Sequence, residues 1–151
     1  LSLFQVCHIC GKGNLDPKLD GRNGYRQFEY VTNELPHIFA MADLVLSRAG
    51  ATTIFEILAL KKPNLLIPLS KKASRGDQLL NAKSFEKQGF SVVLDEDEMD
   101  PKSFLEAIQK VYNHKDDFIN SMQKSPIGNG VTEIIKILEE CAGIGKSTSL
   151  L

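Results

Sequence analysis

At 151 residues the chain is long enough for one domain with a substantial core, and 42% hydrophobic, 25% charged and 7% aromatic residues mark a globular protein. Eighteen basic against nineteen acidic residues give a formal net charge of -1, which excludes a general nucleic-acid coat, since that needs clustered excess Lys and Arg. No apolar run approaches the roughly 20 residues that span a bilayer, and no secretory leader is evident, so a soluble cytoplasmic domain is expected.

The first segment, LFQVCHIC, alternates and is rich in strand formers, which predicts a strand over 3–9. Leu1 stands where an initiator Met would, and the strand starts almost at once, so the chain reads as a fragment or a processed product. Cys7 and Cys10 form a C-x-x-C around His8, whose functional readings are zinc or thiol redox. No second ligand pair lies downstream and Cys141 stands alone, so the pattern favours structural cysteines on or beside a buried strand. The turn-rich GKGNLDPKLDGRNG then leads to a second strand over 26–31, RQFEYV. A short helix is predicted over 34–41, with Asn33 as cap and Pro36 in its first turn.

DLVLS (43–47) reads as a third strand, and 53–60 as a largely buried helix rich in Ile and Leu around Glu56. NLLIP (64–68) is a fourth strand bounded by Pro63 and Pro68. After the polar loop LSKKASRG comes an amphipathic helix over 77–88, carrying Leu79, Leu80, Ala82 and Phe85 and stopped by Gly89. FSVVL (90–94) is a fifth strand, and the acidic run Asp95 to Asp100 is a solvated loop or helix lead-in. Helices are predicted near 101–112, 115–123 and 130–141, with 142–151 as a tail. Within that tail AGIGKSTS resembles the end of a phosphate-binding loop, but the required earlier glycine is Glu140 and no strand precedes it.

Short apolar strands alternating with helices predict an α/β fold, a Rossmann-like parallel sheet flanked by helices. Such sheets bind ligands outside the carboxyl ends of their strands, which selects the loops 47–53 and 68–77. In SRAGATT, Ser47 ends the strand, Gly50 allows a tight turn, and Thr52 or Thr53 opens a helix whose free N–H groups suit a phosphate. Ala49, Gly50 and Ala51 are small enough for close backbone approach. Glu56, one turn in, suits a ribose diol. However, Thr53-x-x-Glu56 is also a capping-box pattern, which spacing alone favours, and an Arg48–Glu56 pairing is a third reading. In the next helix Asp77, Gln78 and Asn81 follow the loop; Gln78 and Asn81 share a face and suit sugar hydroxyls, or else mark an ordinary helix start. Lys71, Lys72 and Arg75 could meet phosphate or stay solvated.

The stretches ADLVLSRAGATTIFEILALKKPNLLIPL and RGDQLLNAKSFEKQGFSVVL, with QVCHICGKGN and YVTNELPHIFAMAD upstream, closely resemble the C-terminal half of a known family. It is the MurG family of bacterial UDP-N-acetylglucosamine:undecaprenyl-pyrophosphoryl-muramoyl-pentapeptide N-acetylglucosaminyltransferases (glycosyltransferase family 28). The resemblance covers 1–141 and leaves the last ten residues outside. It implies the donor-binding half of a two-domain GT-B glycosyltransferase, lacking its first strand and glycine-rich loop. By the same resemblance Glu56 binds the ribose, Gly50, Ala51 and Thr52 lie against the diphosphate, and backbone near Val31 meets the uracil. Gln78 reaches the N-acetylglucosamine with Asn81 close by, whereas Asp77 departs from the His or Gln usual there. The implied chemistry is inverting transfer from UDP-N-acetylglucosamine, without a required metal, to a lipid-linked N-acetylmuramoyl pentapeptide in peptidoglycan synthesis. The acceptor site, the base and peripheral attachment to the inner face of the plasma membrane would belong to an N-terminal domain, so the chain alone is expected to be inactive. Two rivals are a GT-B enzyme with another acceptor, such as a diacylglycerol galactosyltransferase, and a non-catalytic donor-binding subunit that needs a separate acceptor partner, as in the split eukaryotic dolichol-linked enzyme.

Overall fold

The computed structural model describes residues 4–70 and 75–126, together with 135, 137–139 and 141. The predicted helix over 130–141 falls mostly outside these residues and the tail 142–151 wholly so. The chain divides into two units, Leu1–Ala42 and Asp43–Leu151.

In the first unit β1 (Val6–Ile9) runs parallel to β2 (Tyr25–Phe28), with Val6 opposite Tyr25 and Ile9 opposite Phe28. The connection folds through a 3-10 turn at Pro17–Leu19, where the Asp16 carboxylate accepts from the Lys18 N–H at 2.9 Å. Gln27 ties this turn to β2, exchanging bonds of 3.0 and 2.9 Å with the Asp16 backbone. Helix α1 (Leu35–Met41) has Glu34 rather than Asn33 as its cap residue, with Pro36 in the first turn as expected. The Glu34 carboxylate accepts from its own N–H and from that of Thr32, and both bonds hold it below the usual carboxylate range. Strand β2 ends at Phe28, short of the predicted boundary, so Val31 lies half-buried in the bend before α1.

The buried-cysteine expectation is corrected here. All four residues of β1 are exposed, because β1 pairs with β2 alone among the described residues. Cys7 lies within β1 and Cys10 just past its end, and both are free thiols. Cys10 Sγ instead donates to the Phe28 carbonyl at 3.3 Å, and His8 Nδ1 meets the Tyr25 hydroxyl at 2.7 Å. Partial burial raises the Cys7 thiol's pKa, opposite to what a reactive thiolate needs.

The second unit holds a parallel sheet in the order β3 (Val45–Ser47), β4 (Asn64–Leu66), β5 (Val92–Val93). Helix α2 (Ala51–Ala59) connects β3 to β4, and α3 (Asp77–Lys87) connects β4 to β5; α4 (Pro101–Asn113) and α5 (Lys115–Gln123) follow. The strands are shorter than predicted, although ladder bonds continue past their ends, from Ile67 N to Ser47 O at 2.9 Å and from Leu94 N to Leu66 O at 3.0 Å. Strand β4 is buried throughout, as a central parallel strand covered on both faces must be. Leu65, Val92, Ala107 and Val111 form a core to which Ile67, Phe104, Ile108 and Phe118 add partly buried surface. Phe85 stacks edge-on with Phe55 and Phe90 at 5.9 and 5.6 Å.

The end of the acidic run starts α4. Asp100 accepts from the N–H groups of Lys102 and Ser103 at 2.7 and 2.8 Å, and the Ser103 hydroxyl accepts from Asp100 N at 2.9 Å. This reciprocal capping box fixes where the helix begins. No helix among the described residues is long and apolar enough to cross a membrane.

Candidate functional site

The turn between β3 and α2 carries the first half of the site. Gly50, not a threonine, is the N-cap of α2, at φ −68 and ψ 140, and no side chain caps the helix. The first intrahelical bond runs from Ile54 N to Gly50 O at 3.0 Å, so the N–H groups of Ala51, Thr52 and Thr53 remain at the open end. Gly50 does not owe its place to a tight turn: its φ suits any residue, and a Cβ there would meet nothing among the described residues within 4 Å. What the glycine leaves is room beside a positive helix end.

This start overturns the capping-box reading of Glu56. Thr53 lies inside the first turn, so Glu56 has no cap residue within reach. Nor is α2 largely buried. Ile54, Ile57 and Leu58 form its inner face at i, i+3 and i+4, and Glu56 falls on the outer side, exposed. Among the described residues its carboxylate makes no hydrogen bond or ion pair, which also corrects the Arg48–Glu56 pairing.

Arg48 turns the other way. Its guanidinium donates to the Ile67 carbonyl at 3.1 Å and pairs with Glu96 at 2.5 Å. The Arg48 bond is the main reason that the Glu96 carboxyl lies below its usual range, and the Ser70 backbone N–H adds to it. The Ser47 hydroxyl donates to the Arg48 carbonyl at 2.9 Å.

The second half comes from α3. Gly76, its N-cap, sits at φ +88, where a side chain would be strained, and again no side chain caps the helix. Asp77 is exposed in the first turn, and the predicted shared face of Gln78 and Asn81 reaches both loops. Gln78 Oε1 accepts from Leu69 N at 3.1 Å, and Asn81 Nδ2 donates to the Ala49 carbonyl at 3.0 Å. Lys71 and Lys72 lie outside the described residues, and Arg75 is exposed.

Ser47 thus closes β3, and Arg48, Gly50, Ala51, Thr52, Glu56, Asp77, Gln78 and Asn81 belong to the segments that follow the carboxyl ends of β3 and β4. Val31 belongs to the first unit. Sequence reasoning missed Glu96; its signal was an acid three residues past β5, the third parallel strand of the same sheet. The arrangement offers two uncapped helix ends for anionic oxygens and one unengaged carboxylate for a diol. Among the described residues no group of three or more His, Cys, Asp or Glu is placed to hold a metal.

Residues 2–138 match the glycosyltransferase family 28 C-terminal domain. A UDP-N-acetylglucosamine--N-acetylmuramyl-(pentapeptide) pyrophosphoryl-undecaprenol N-acetylglucosamine transferase of Clostridium kluyveri is 56% identical over 140 residues, 93% of this chain and 40% of that protein. The protein of the same name from Clostridium tetani is 54% identical, over 93% of this chain and 39% of its own length. The chain therefore spans about 40% of the length of such relatives. Among solved structures, Acinetobacter baumannii MurG superposes with a TM-score of 0.71 at 18% identity, over 91% of this chain and 41% of that one. The glycotransferase of kitacinnamycin gives 0.65 at 17% identity, over 86% and 33%. These likenesses establish the parallel α/β architecture of GT-B glycosyltransferases. By its sequence match over nearly its whole length, the chain belongs to the glycosyltransferase family 28 C-terminal domain family.

Proposed function

We propose that this chain is the donor-binding part of an inverting glycosyltransferase that moves N-acetylglucosamine from UDP-N-acetylglucosamine to a lipid-linked N-acetylmuramoyl pentapeptide. The observation that carries this reading is the uncapped start of α2 with exposed, unengaged Glu56 one turn inside it. The 56% identity to a transferase named for that donor and acceptor supports it.

In this reading residues 1–141 make up the donor domain. The diphosphate lies against the N–H groups of Ala51 and Thr52, with Gly50 leaving room for it. Glu56 accepts two hydrogen bonds from the ribose diol. Gln78 and Asn81 bind the sugar with their remaining amide atoms, and Asp77 stands beside them. The acceptor's 4-hydroxyl attacks the anomeric carbon as the C–O bond to UDP breaks. Preorganised N–H dipoles meet the charge growing on the leaving diphosphate, so no metal is required for that role.

In this reading the acceptor site, the base and a surface that docks on the inner face of the plasma membrane belong to an N-terminal domain of a longer chain. A transfer assay with labelled UDP-N-acetylglucosamine and lipid-linked acceptor tests this. The expected result is no product from the 151-residue chain alone and product from a reading frame of the relatives' length. Turnover by the chain alone, or a preference for UDP-galactose, would contradict it.

A further inference from the structure

We infer that Glu96 is a positioning residue for the donor site, holding the turns after β3 and β4 in the arrangement that aims the starts of α2 and α3 at the donor. The inference rests on the donor-binding reading above.

Glu96 lies past β5, yet the side chain it holds comes from the end of β3. It grips the guanidinium of Arg48, the first residue after β3. Arg48 donates in addition to the Ile67 carbonyl at 3.1 Å, directly past β4. One carboxylate and one guanidinium therefore tie the carboxyl ends of three adjacent parallel strands. The next residue, Ala49, is fully buried, and its carbonyl is held from α3 by Asn81 at 3.0 Å. The backbone that enters α2 is thus fixed at two successive residues by side chains from two distant segments.

Stability does not account for the pair. Arg48 and Glu96 side chains are 47% and 33% exposed, and ion pairs that wet contribute little to folding. Direct phosphate binding by Arg48 does not account for it either, since Glu96 already neutralises and orients that guanidinium. A carboxylate at the mouth of an anion site is tolerable only when so paired, and pairing removes Arg48 as a free cation. What the pair supplies is turn geometry, on which helix N–H groups depend for aim.

The test is titration of the ¹⁵N-labelled 151-residue chain with UDP, read by NMR, for wild type, Glu96→Ala, Glu96→Gln and Arg48→Ala. Glu96→Ala should shift the amides of Ala49, Gly50, Ala51 and Ser70 before any ligand is added, and raise the UDP dissociation constant ~10-fold. Its melting temperature should fall by less than ~2 °C. Glu96→Gln, which keeps an acceptor for Arg48, should recover most of the affinity. The Arg48→Ala/Glu96→Ala double variant should bind no worse than Arg48→Ala alone. If Glu96→Ala binds UDP as well as wild type, the positioning role is overturned. If it binds more tightly, Arg48 is a phosphate ligand that Glu96 restrains, which overturns it equally. A wild-type chain that binds no UDP at all overturns the donor reading itself, and the positioning role with it.

Discussion

Asn81 of helix α3 donates its side-chain amide to the carbonyl of Ala49 at 3.0 Å, joining the second candidate loop to the first across 32 positions of sequence. The bond lies on the packing side of the site and decides how α3 meets the turn before α2. Replacing Asn81 by Asp sets a carboxylate against that carbonyl. We predict a loss of about 1–3 kcal/mol in urea unfolding, larger than for Asn81→Ala, where only the bond is lost. UDP binding should weaken further in the Asp variant, because a negative charge then stands behind the diphosphate site.

Gly50 and Gly76 cap neighbouring helices for different reasons, and the same substitution separates them. Gly76→Ala places a side chain at φ +88 and should cost about 1–2 kcal/mol by chemical denaturation. Gly50→Ala fits φ −68, and its Cβ meets no atom of the described residues within 4 Å, so stability should change by under ~0.5 kcal/mol. Calorimetry should nonetheless show UDP affinity reduced at least ~10-fold, because the new methyl occupies the diphosphate's approach. Unchanged affinity would move the phosphate site elsewhere.

Asn64 begins the central strand with none of its surface exposed, and Nδ2 donates to the carbonyls of Lys62 and Phe90 at 3.0 Å each. Asn64→Asp turns both attractions into repulsions between buried acceptors. The expected cost is about 2–4 kcal/mol at neutral pH. Burial against two carbonyls favours the neutral acid and raises its folded pKa. The deficit should therefore shrink as pH falls below that value, which urea titrations at pH 7 and pH 5 would reveal.

Asp100 gives the opposite dependence. The N–H groups of Ser103 and Lys102 hold its carboxyl below the usual range. A depressed folded pKa contributes stability that is present above the unfolded value of about 4 and lost as pH falls through the folded value. Asp100→Ala should thus melt about 2–5 °C below wild type at pH 7. The gap should narrow as pH falls below the unfolded value and through the lowered folded one, where the wild-type cap is itself protonated. A gap independent of pH would assign the loss to something other than the charged cap.

Local patterns carried much of the fold. Helix α5 (Lys115–Gln123) matches the predicted 115–123, and the apolar run at Leu65 and Leu66 reads as a buried parallel strand because burial on both faces removes alternation. The two turns that carry the candidate residues were legible as turns from topology alone, since parallel strands place their carboxyl ends together. Their hydrogen bonds were not. Arg48 finds Glu96 at a separation of 48 residues, and no local pattern encodes such a partner. The start of α2 was misread because Thr53-x-x-Glu56 mimics a capping box, while a glycine cap leaves no side-chain signature. The exposure of β1 was missed for a related reason: alternating strand formers report a strand but not how many neighbours cover it.

The central claim is that Glu56 serves a ligand and not its helix. Isothermal titration of UDP into the wild-type chain and into Glu56→Ala, with melting curves of both, tests it most directly. An exposed carboxylate with no partner among the described residues leaves stability nearly untouched when removed, so the melting temperature should stay within ~1 °C. Loss of two charge-assisted bonds to a ribose diol should raise the dissociation constant by roughly 10- to 100-fold. Unchanged UDP affinity together with a melting temperature several degrees lower would contradict the account and return Glu56 to a structural role.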